Sequence, residues 1–284
     1  MMKIGFIGAG KVGPAIASTL KEKGFAIVAI SDAQELSLHS ARRYLGEEVF
    51  YTQDNMDVVS MADIIAVTTQ DRVIQDVAKE IYTRAERLDG KLFFHTSGAD
   101  PSSVLIPLNE KGALLGSLHP LQTFPDIDSA IAVLPNTCIF VEGDERAIPT
   151  LKELGENIGA KVYTIAGEHK VIYHLSAVFV CNLLSGLIYA GKGLMDKIHI
   201  DFEPFIPIIE ATIKNIEKKG PLAALTGPVV RGDVKTVKAH LASIEDMELH
   251  TTVYKALSRV AVQMAEKRKA IDEKTAEALK DVLK

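Results

Sequence analysis

The stretch MKIGFIGAGKVGPAIA, residues 2–17, decides the fold. An apolar run at 4–7 leads into the glycines Gly8, Gly10 and Gly13, and helical periodicity follows. In a dinucleotide-binding turn, the first glycine permits the tight turn, the second admits a pyrophosphate, and the third lets helix pack on strand. Glycine spacing alone is weak evidence, and a purely structural turn is the alternative. Because strand, turn and helix occur together, we predict a nucleotide cradle.

Short apolar runs alternate with helical patterns along the first half of the chain, and this alternation is typical of a parallel, doubly wound sheet. Predicted strands cover 4–7, 26–30, 48–51, 63–68, 91–95, 137–141 and 161–165, while the pattern loosens over 101–124. The remainder is helical, with helices predicted at 168–192, 205–218, 234–243, 248–267 and 272–283. We therefore predict an α/β protein: a Rossmann-type domain over 1–165 and an all-helical domain over 166–284.

Composition narrows the functional classes. The 284 residues are long enough for two modest domains. Lys and Arg total 32 against 37 Asp and Glu, and the net charge of −5 argues against a nucleic-acid partner. We identify no apolar run of membrane length and no signal peptide, so we expect a cytoplasmic protein without a membrane partner. Cys138 and Cys181 are the only cysteines and have no CxxC spacing, so no disulfide scaffold or metal site is expected.

The end of the second predicted strand bears on cofactor choice. An acidic residue there accepts a hydrogen bond from the ribose 2′-hydroxyl of NAD, and Asp32 lies at about the right distance from the glycines. Ser31 is the other candidate for the strand tip, and a serine tolerates the 2′-phosphate of NADP. From these residues alone we lean towards NAD.

Other candidates follow the strands whose carboxyl ends should face a ligand. Thr68 and Thr69 end one strand, although they could merely cap the next helix, and Ser97 follows another. The predicted cofactor-binding residues are Gly8, Gly10, Lys11, Val12, Gly13, Ser31, Asp32, Thr68, Thr69 and Ser97.

Two histidines are candidates for acid–base work, because imidazole titrates near neutrality. His119 lies in GSLHPLQTF, residues 116–124, and His174 lies in the long apolar helix with Asn182 two turns further on. The predicted catalytic residues are therefore His174, His119 and Asn182. Either histidine could instead be structural.

Substrate contacts are predicted at Ser97, Gln122 and Arg231. Arg231 occurs in TGPVVRGD, residues 226–233, a loop between helices, and a guanidinium there could hold an anion. The alternative is a surface Arg–Asp pair in an interhelical turn.

The glycine fingerprint, HTSGA, SLHPLQTF, YHLSAVFVCN and TGPVVRGD together resemble the Rossmann-like NADP oxidoreductases that carry a helical C-terminal domain of unknown function. The group is similar to pyrroline-5-carboxylate reductase and the 3-hydroxyisobutyrate and 6-phosphogluconate dehydrogenases. The resemblance implies a nicotinamide cofactor, favours NADP, and implies a homodimer formed by the helical domain. It also places His174 about where the 3-hydroxyisobutyrate dehydrogenases carry a catalytic lysine.

The predicted function is hydride transfer between a nicotinamide cofactor, NAD or NADP, and a small carbonyl, hydroxy-acid or imine substrate. The sequence is also compatible with two alternatives. One is a non-catalytic dinucleotide or metabolite sensor, favoured by the lack of an evident acid–base pair with a lysine. The other is a deazaflavin-dependent NADP reductase.

Overall fold

The computed structural model describes residues 2–284, and the chain divides into two compact units, Met1–Asn182 and Leu183–Lys284. The first unit contains one eight-stranded sheet with the order β3-β2-β1-β4-β5-β6-β7-β8. Neighbouring strands are parallel except β6 and β7, which are antiparallel. The strands are β1 (Lys3–Ile7), β2 (Ala26–Ser31), β3 (Phe50–Thr52), β4 (Ile64–Val67), β5 (Leu92–His95), β6 (Leu114–Pro120), β7 (Cys138–Gly143) and β8 (Lys161–Thr164).

Thirteen α-helices occur within residues 2–284. In the first unit they are α1 (Val12–Glu22), α2 (Glu35–Leu45), α3 (Asn55–Met61), α4 (Asp71–Arg84), α5 (Ile106–Asn109), α6 (Ile127–Val133), α7 (Ile148–Ile158) and α8 (Lys170–Val180). The rest are α9 (Asn182–Asp196), α10 (Ile206–Ala224), α11 (Val234–Ser243), α12 (Glu248–Lys267) and α13 (Glu273–Val282).

Both faces of the sheet are buried, which is why its strands are almost continuously apolar. Phe6 and Phe94 belong to the core on one face, and Ile65 and Phe93 belong to the core on the other. Neighbouring residues of a strand point to opposite faces, so Phe93 and Phe94 serve different cores. The predicted combination of a Rossmann-type sheet and a helical C-terminal part is confirmed.

Three details differ from the sequence-based expectations. The segment in which the pattern loosened contains β6, whose polar and small residues hide its strand character. The single helix predicted over 168–192 is divided at Cys181, where φ is −121° and ψ is −71°. The first compact unit extends to Asn182, beyond the predicted boundary at 165, and Lys170 at the start of α8 is hydrogen-bonded to Ser117 of β6.

The expectation that the chain lacks an apolar stretch of membrane length is wrong. Within Gly167–Asp196 an 18-residue window has a mean hydropathy of 1.9, and none of that window is buried. By length and composition alone this stretch could cross a membrane. However, its first helical turn contains the buried Lys170, which is hydrogen-bonded to the sheet.

Candidate active site

The glycine loop joins β1 to α1 at the carboxyl edge of the sheet. Gly8 has φ +108°, a conformation that side chains disfavour, and the backbone of Thr68 and Thr69 lies directly against it. A Cβ on Gly13 would collide with the Gly8 carbonyl oxygen and with Thr68 Oγ1. A Cβ on Gly10 would meet nothing within 4 Å. Gly8 and Gly13 therefore serve the loop itself, while Gly10 faces open space.

The end of β4 supports the same loop. Thr68 Oγ1 donates a hydrogen bond to the Gly8 carbonyl at 2.7 Å and is therefore structural. Thr69 Oγ1 is buried and has no hydrogen-bond partner within residues 2–284. A buried hydroxyl without a partner is costly, and a ligand at this edge would satisfy it. The open side of Gly10 and this hydroxyl fit a bound dinucleotide.

The two candidates at the tip of β2 have different environments. Ser31 is fully buried, and its hydroxyl donates to Asn55 Oδ1 at 2.8 Å. Asp32 accepts hydrogen bonds from two backbone amides, that of Ala9 to Oδ2 and that of Gln34 to Oδ1, both at 2.8 Å. Asp32 therefore places a fixed negative charge beside the glycine loop, whereas the Ser31 hydroxyl is already engaged.

A buried lysine lies at the start of α8. Lys170 is 1% exposed, and its Nζ donates to the Ser97 carbonyl and to Ser117 Oγ, each at 2.7 Å. Burial lowers the pKa of this ammonium to about 8, against the opposing effect of Glu142, Asp100 and Asp71. Lys170 is therefore a charged group at neutral pH whose proton is held less tightly than that of an exposed lysine.

Three further side chains from β6 and α8 gather beside this lysine. His119 Nδ1 lies 2.8 Å from the Tyr173 hydroxyl, and the rings of His119 and His174 have centroids 6.3 Å apart. Both histidine rings approach Gly98 so closely that a Cβ there would lie 2.7 Å from His119 Nε2 and from His174 Cδ2. Burial, with smaller contributions from Lys170 and His174, lowers the pKa of His119 to about 4. His119 is therefore neutral at physiological pH.

Ser97 connects this cluster to Asp71 and Asp100. Its hydroxyl donates to Asp71 Oδ2 at 2.9 Å and accepts from the Asp100 amide at 3.0 Å. His95 accepts from the Ser97 amide at Nδ1, so its Nε2 donates to the Pro101 carbonyl at 3.2 Å. Burial lowers the pKa of His95 to about 3, and this histidine acts as a neutral support for the loop.

The remaining candidates are exposed or half-buried. Gln122 is exposed, and its side-chain oxygen accepts from the Thr123 amide. Lys11 is exposed and precedes α1, whose first residue, Val12, is half-buried. Asn182 is exposed at the first residue of α9, and Arg231 is exposed in the second unit. The division at Cys181 removes the continuous helix on which the predicted pairing of His174 with Asn182 depended.

Sequence reasoning missed Lys170 and Tyr173, although one local signal was available. A lysine in the first turn of a helix opposes the positive end of the helix dipole. Lys170 nevertheless begins the apolar helix α8. It also precedes His174 by one turn, and His174 is the residue at which the resemblance places the lysine of the 3-hydroxyisobutyrate dehydrogenases.

Comparison with known proteins agrees with this architecture. Residues 1–120 match the model of a Rossmann-like domain, and residues 137–261 match the domain of unknown function DUF2520. The chain thus combines a Rossmann-like domain with a DUF2520 domain. A search among curated proteins finds no match to it.

Several solved structures share the fold. A Bacteroides fragilis protein provisionally named an NADP oxidoreductase is 26% identical, with a TM-score of 0.72 and coverage of 91% of this chain and 97% of that one. A Thermotoga maritima protein is 24% identical, with a TM-score of 0.74 and coverage of 94% and 99%. The imine reductase of Streptomyces aurantiacus is 16% identical, with a TM-score of 0.69 and coverage of 99% of both chains.

Proposed function

We propose that this protein is a nicotinamide-dependent oxidoreductase acting on a small carbonyl, hydroxy-acid or imine substrate. The observation that carries the proposal is the buried, charged Lys170 beside Ser97, on the same unit as a glycine loop with an open side at Gly10. A nucleotide cradle alone would serve a sensor equally well. A buried ammonium is costly to maintain, and such groups cluster at catalytic sites.

The cofactor would be held by the glycine loop, the α1 N-terminus and Thr69, and when bound it supplies or accepts the hydride. The accompanying proton must be handled by the protein. Lys170 Nζ carries a proton at neutral pH that its lowered pKa makes easier to transfer. His119 is neutral and fixed by Tyr173, so it can orient a substrate oxygen or nitrogen through a hydrogen bond. His174 completes this cluster from α8.

The sensor alternative was favoured by the lack of a lysine paired with an acid–base group. Lys170 removes that reason, because it lies beside His119 and His174 within the first unit. The hydride-transfer hypothesis is accordingly the stronger one.

We further propose NAD as the cofactor. The Asp32 carboxylate is held by the Ala9 and Gln34 amides, so it cannot easily turn away from a neighbouring phosphate. A fixed carboxylate accepts a ribose 2′-hydroxyl and repels a 2′-phosphate. This choice departs from the NADP named for the Bacteroides relative.

Calorimetric titration with NADH and NADPH tests both points. We expect NADH to bind the wild-type protein at least about tenfold more tightly, and Asp32→Ser to reduce that preference. Asp57→Asn, in α3, is the control for removing an acidic side chain elsewhere in the same unit. Preference for NADPH would contradict the choice of NAD, and binding of neither nucleotide would contradict the oxidoreductase function.

We also propose that the protein is a homodimer that buries its apolar helices. Large exposed apolar side chains concentrate on α8, α9 and α10, where Phe179 is 62% exposed and Ile208 is 63% exposed. The second unit also contains an open apolar cavity of about 340 Å³, lined by residues that include Leu187, Leu194 and Leu257. Extensive exposed apolar surface marks an interaction site. A second copy is the proposed occupant, because the first turn of α8 is bonded to the sheet and cannot be surrounded by lipid.

A further inference from the structure

A buried carboxylate on β7 takes no part in the proposed hydride and proton transfer. Glu142 is 5% exposed, although a charged side chain is rarely buried without a compensating partner. Its Oε1 accepts from the Ser102 amide at 2.6 Å, and its Oε2 accepts from Ser102 Oγ at 2.9 Å. Two hydrogen bonds from one neutral residue fix the carboxylate in position but do not balance its charge.

The strand pairing places Glu142 next to the lysine site. In the antiparallel ladder of β6 and β7, Glu142 lies directly opposite Ser117. Side chains of directly opposite residues share one face, with Cβ atoms about 4.5–5.5 Å apart. The Ser117 hydroxyl is one of the two acceptors for Lys170 Nζ. The turn before α8 closes over the same carboxylate, since a Cβ on Gly167 would lie 3.2 Å from Glu142 Oε2.

The charged and titratable groups around Lys170 come from β5, β6, β7, α4 and the loop after β5. Among those that favour the ammonium, Glu142 of β7 has the largest effect, followed by Asp100 after β5 and Asp71 at the start of α4. His95 of β5 and His119 of β6 also interact with the lysine charge, and burial keeps both neutral at physiological pH. Of the three carboxylates, only Glu142 is almost fully buried, so solvent screens its effect least.

We propose that Glu142 is a positioning residue whose buried carboxylate balances the Lys170 ammonium and keeps it charged against the Ser97 carbonyl and the Ser117 hydroxyl. Burial opposes the charged lysine, and the fixed negative charge on the neighbouring strand offsets that opposition. The importance of this pairing for turnover rests on the proposed function. The effect of Glu142 on the charge state of Lys170 does not depend on the proposed function.

The test is an NMR titration of the full-length protein labelled with ¹³C and ¹⁵N lysine. The Lys170 signal is identified by its loss in Lys170→Arg. In Glu142→Gln the midpoint of the Lys170 titration should fall by about one pH unit or more, because a nearby opposite charge is removed. Glu145→Gln, an exposed site three residues further on, should leave it unchanged. Glu142→Asp, which keeps the charge, should move the midpoint less than half as far.

An unchanged midpoint in Glu142→Gln would overturn the proposal, as would equal displacement in the Gln and Asp variants. If Glu142→Gln does not fold, the wild-type titration decides, since a neutral Lys170 at about pH 7 is incompatible with a balancing carboxylate. Failure of the wild-type protein to bind NADH would contradict the proposed function and leave the role of Glu142 unaffected. The lysine titration is measured without cofactor.

Discussion

At the scale of single residues, Lys170 shows what sequence reasoning could and could not find. The glycines were predictable, because a tight turn and close helix packing demand glycine at fixed spacing. The lysine site was not predictable, because Lys170 Nζ donates to the Ser97 carbonyl and the Ser117 hydroxyl, which lie 73 and 53 residues away in the chain. No local pattern encodes a contact of that kind.

Replacement of Lys170 by methionine should lower turnover by about 10²–10⁴-fold, the usual contribution of a positioned proton donor. Cofactor affinity should stay within a few-fold of wild type, because Lys170 is not part of the glycine loop. Steady-state kinetics, once a substrate is identified, and NADH titration measure the two effects. Lys192→Met is the control, since it removes an exposed lysine whose ion pair with Asp196 contributes little. Full turnover in Lys170→Met would exclude Lys170 as the proton donor.

At the scale of elements, β6 is the strand that the sequence pattern did not predict. Gly116, Ser117, His119 and Pro120 are poor strand formers, and they sit in this strand because of what surrounds them. A Cβ on Gly116 would lie 2.5 Å from Leu151 of α7, so the glycine admits the helix. Ser117 and His119 face the lysine site. Packing and chemistry, rather than propensity, determine this element.

In the strand–turn–helix unit of β1 and α1, we expect Gly10 to matter for nucleotide binding and Gly13 for stability. Gly10→Ala should leave stability within about 0.5 kcal/mol of wild type, because the new methyl group meets nothing within 4 Å. It should nevertheless weaken NADH binding, since it fills the open side of the loop. Gly13→Ala should lower stability by about 1–3 kcal/mol through collision with the Gly8 carbonyl. Urea denaturation and calorimetry measure the two effects, and similar results for both variants would contradict this division.

The ends of β5 and β6 should make stability depend on pH. The pKa of His95 falls to about 3 and that of His119 to about 4, whereas unfolded histidine has a pKa of about 6.5. Between these values the unfolded state binds more protons, so stability should decrease as pH falls from about 6.5 to 4. Urea denaturation at about pH 7 and about pH 5 measures this loss, and His119→Gln should reduce it. An equal loss in the variant would show that His119 titrates normally.

At the scale of the whole molecule, the two-part architecture was predictable from the change of hydrophobic period. The end of the first unit was not predictable, because α8 looks like part of a helical domain by composition. Its connection to the first unit is made by Lys170, which bonds to a residue distant in the chain. The apolar residues of α8 to α10 also gave no indication, by themselves, of burial or exposure.

Light scattering during size exclusion should give a mass of two chains for the wild-type protein. Phe179→Lys should shift the population towards monomers, because it places a charge on the proposed apolar contact. Leu36→Lys, at a side chain that is 82% exposed on α2, should not. A monomeric wild type would contradict the dimer, and association only with phospholipid vesicles would indicate a membrane surface instead.

The reversed direction of β7 also determines where the chain travels next. Because β8 runs parallel to β7, it ends at the edge of the sheet opposite the glycine loop. The following helix must then return, and its contacts advance from Ser117 at Lys170 to His119 at Tyr173. Over these residues α8 therefore runs along β6 towards the edge of the sheet that carries the glycine loop. Had β7 been parallel to β6, β8 would have ended at the edge that carries the glycine loop, and α8 would have run along the sheet in the opposite direction.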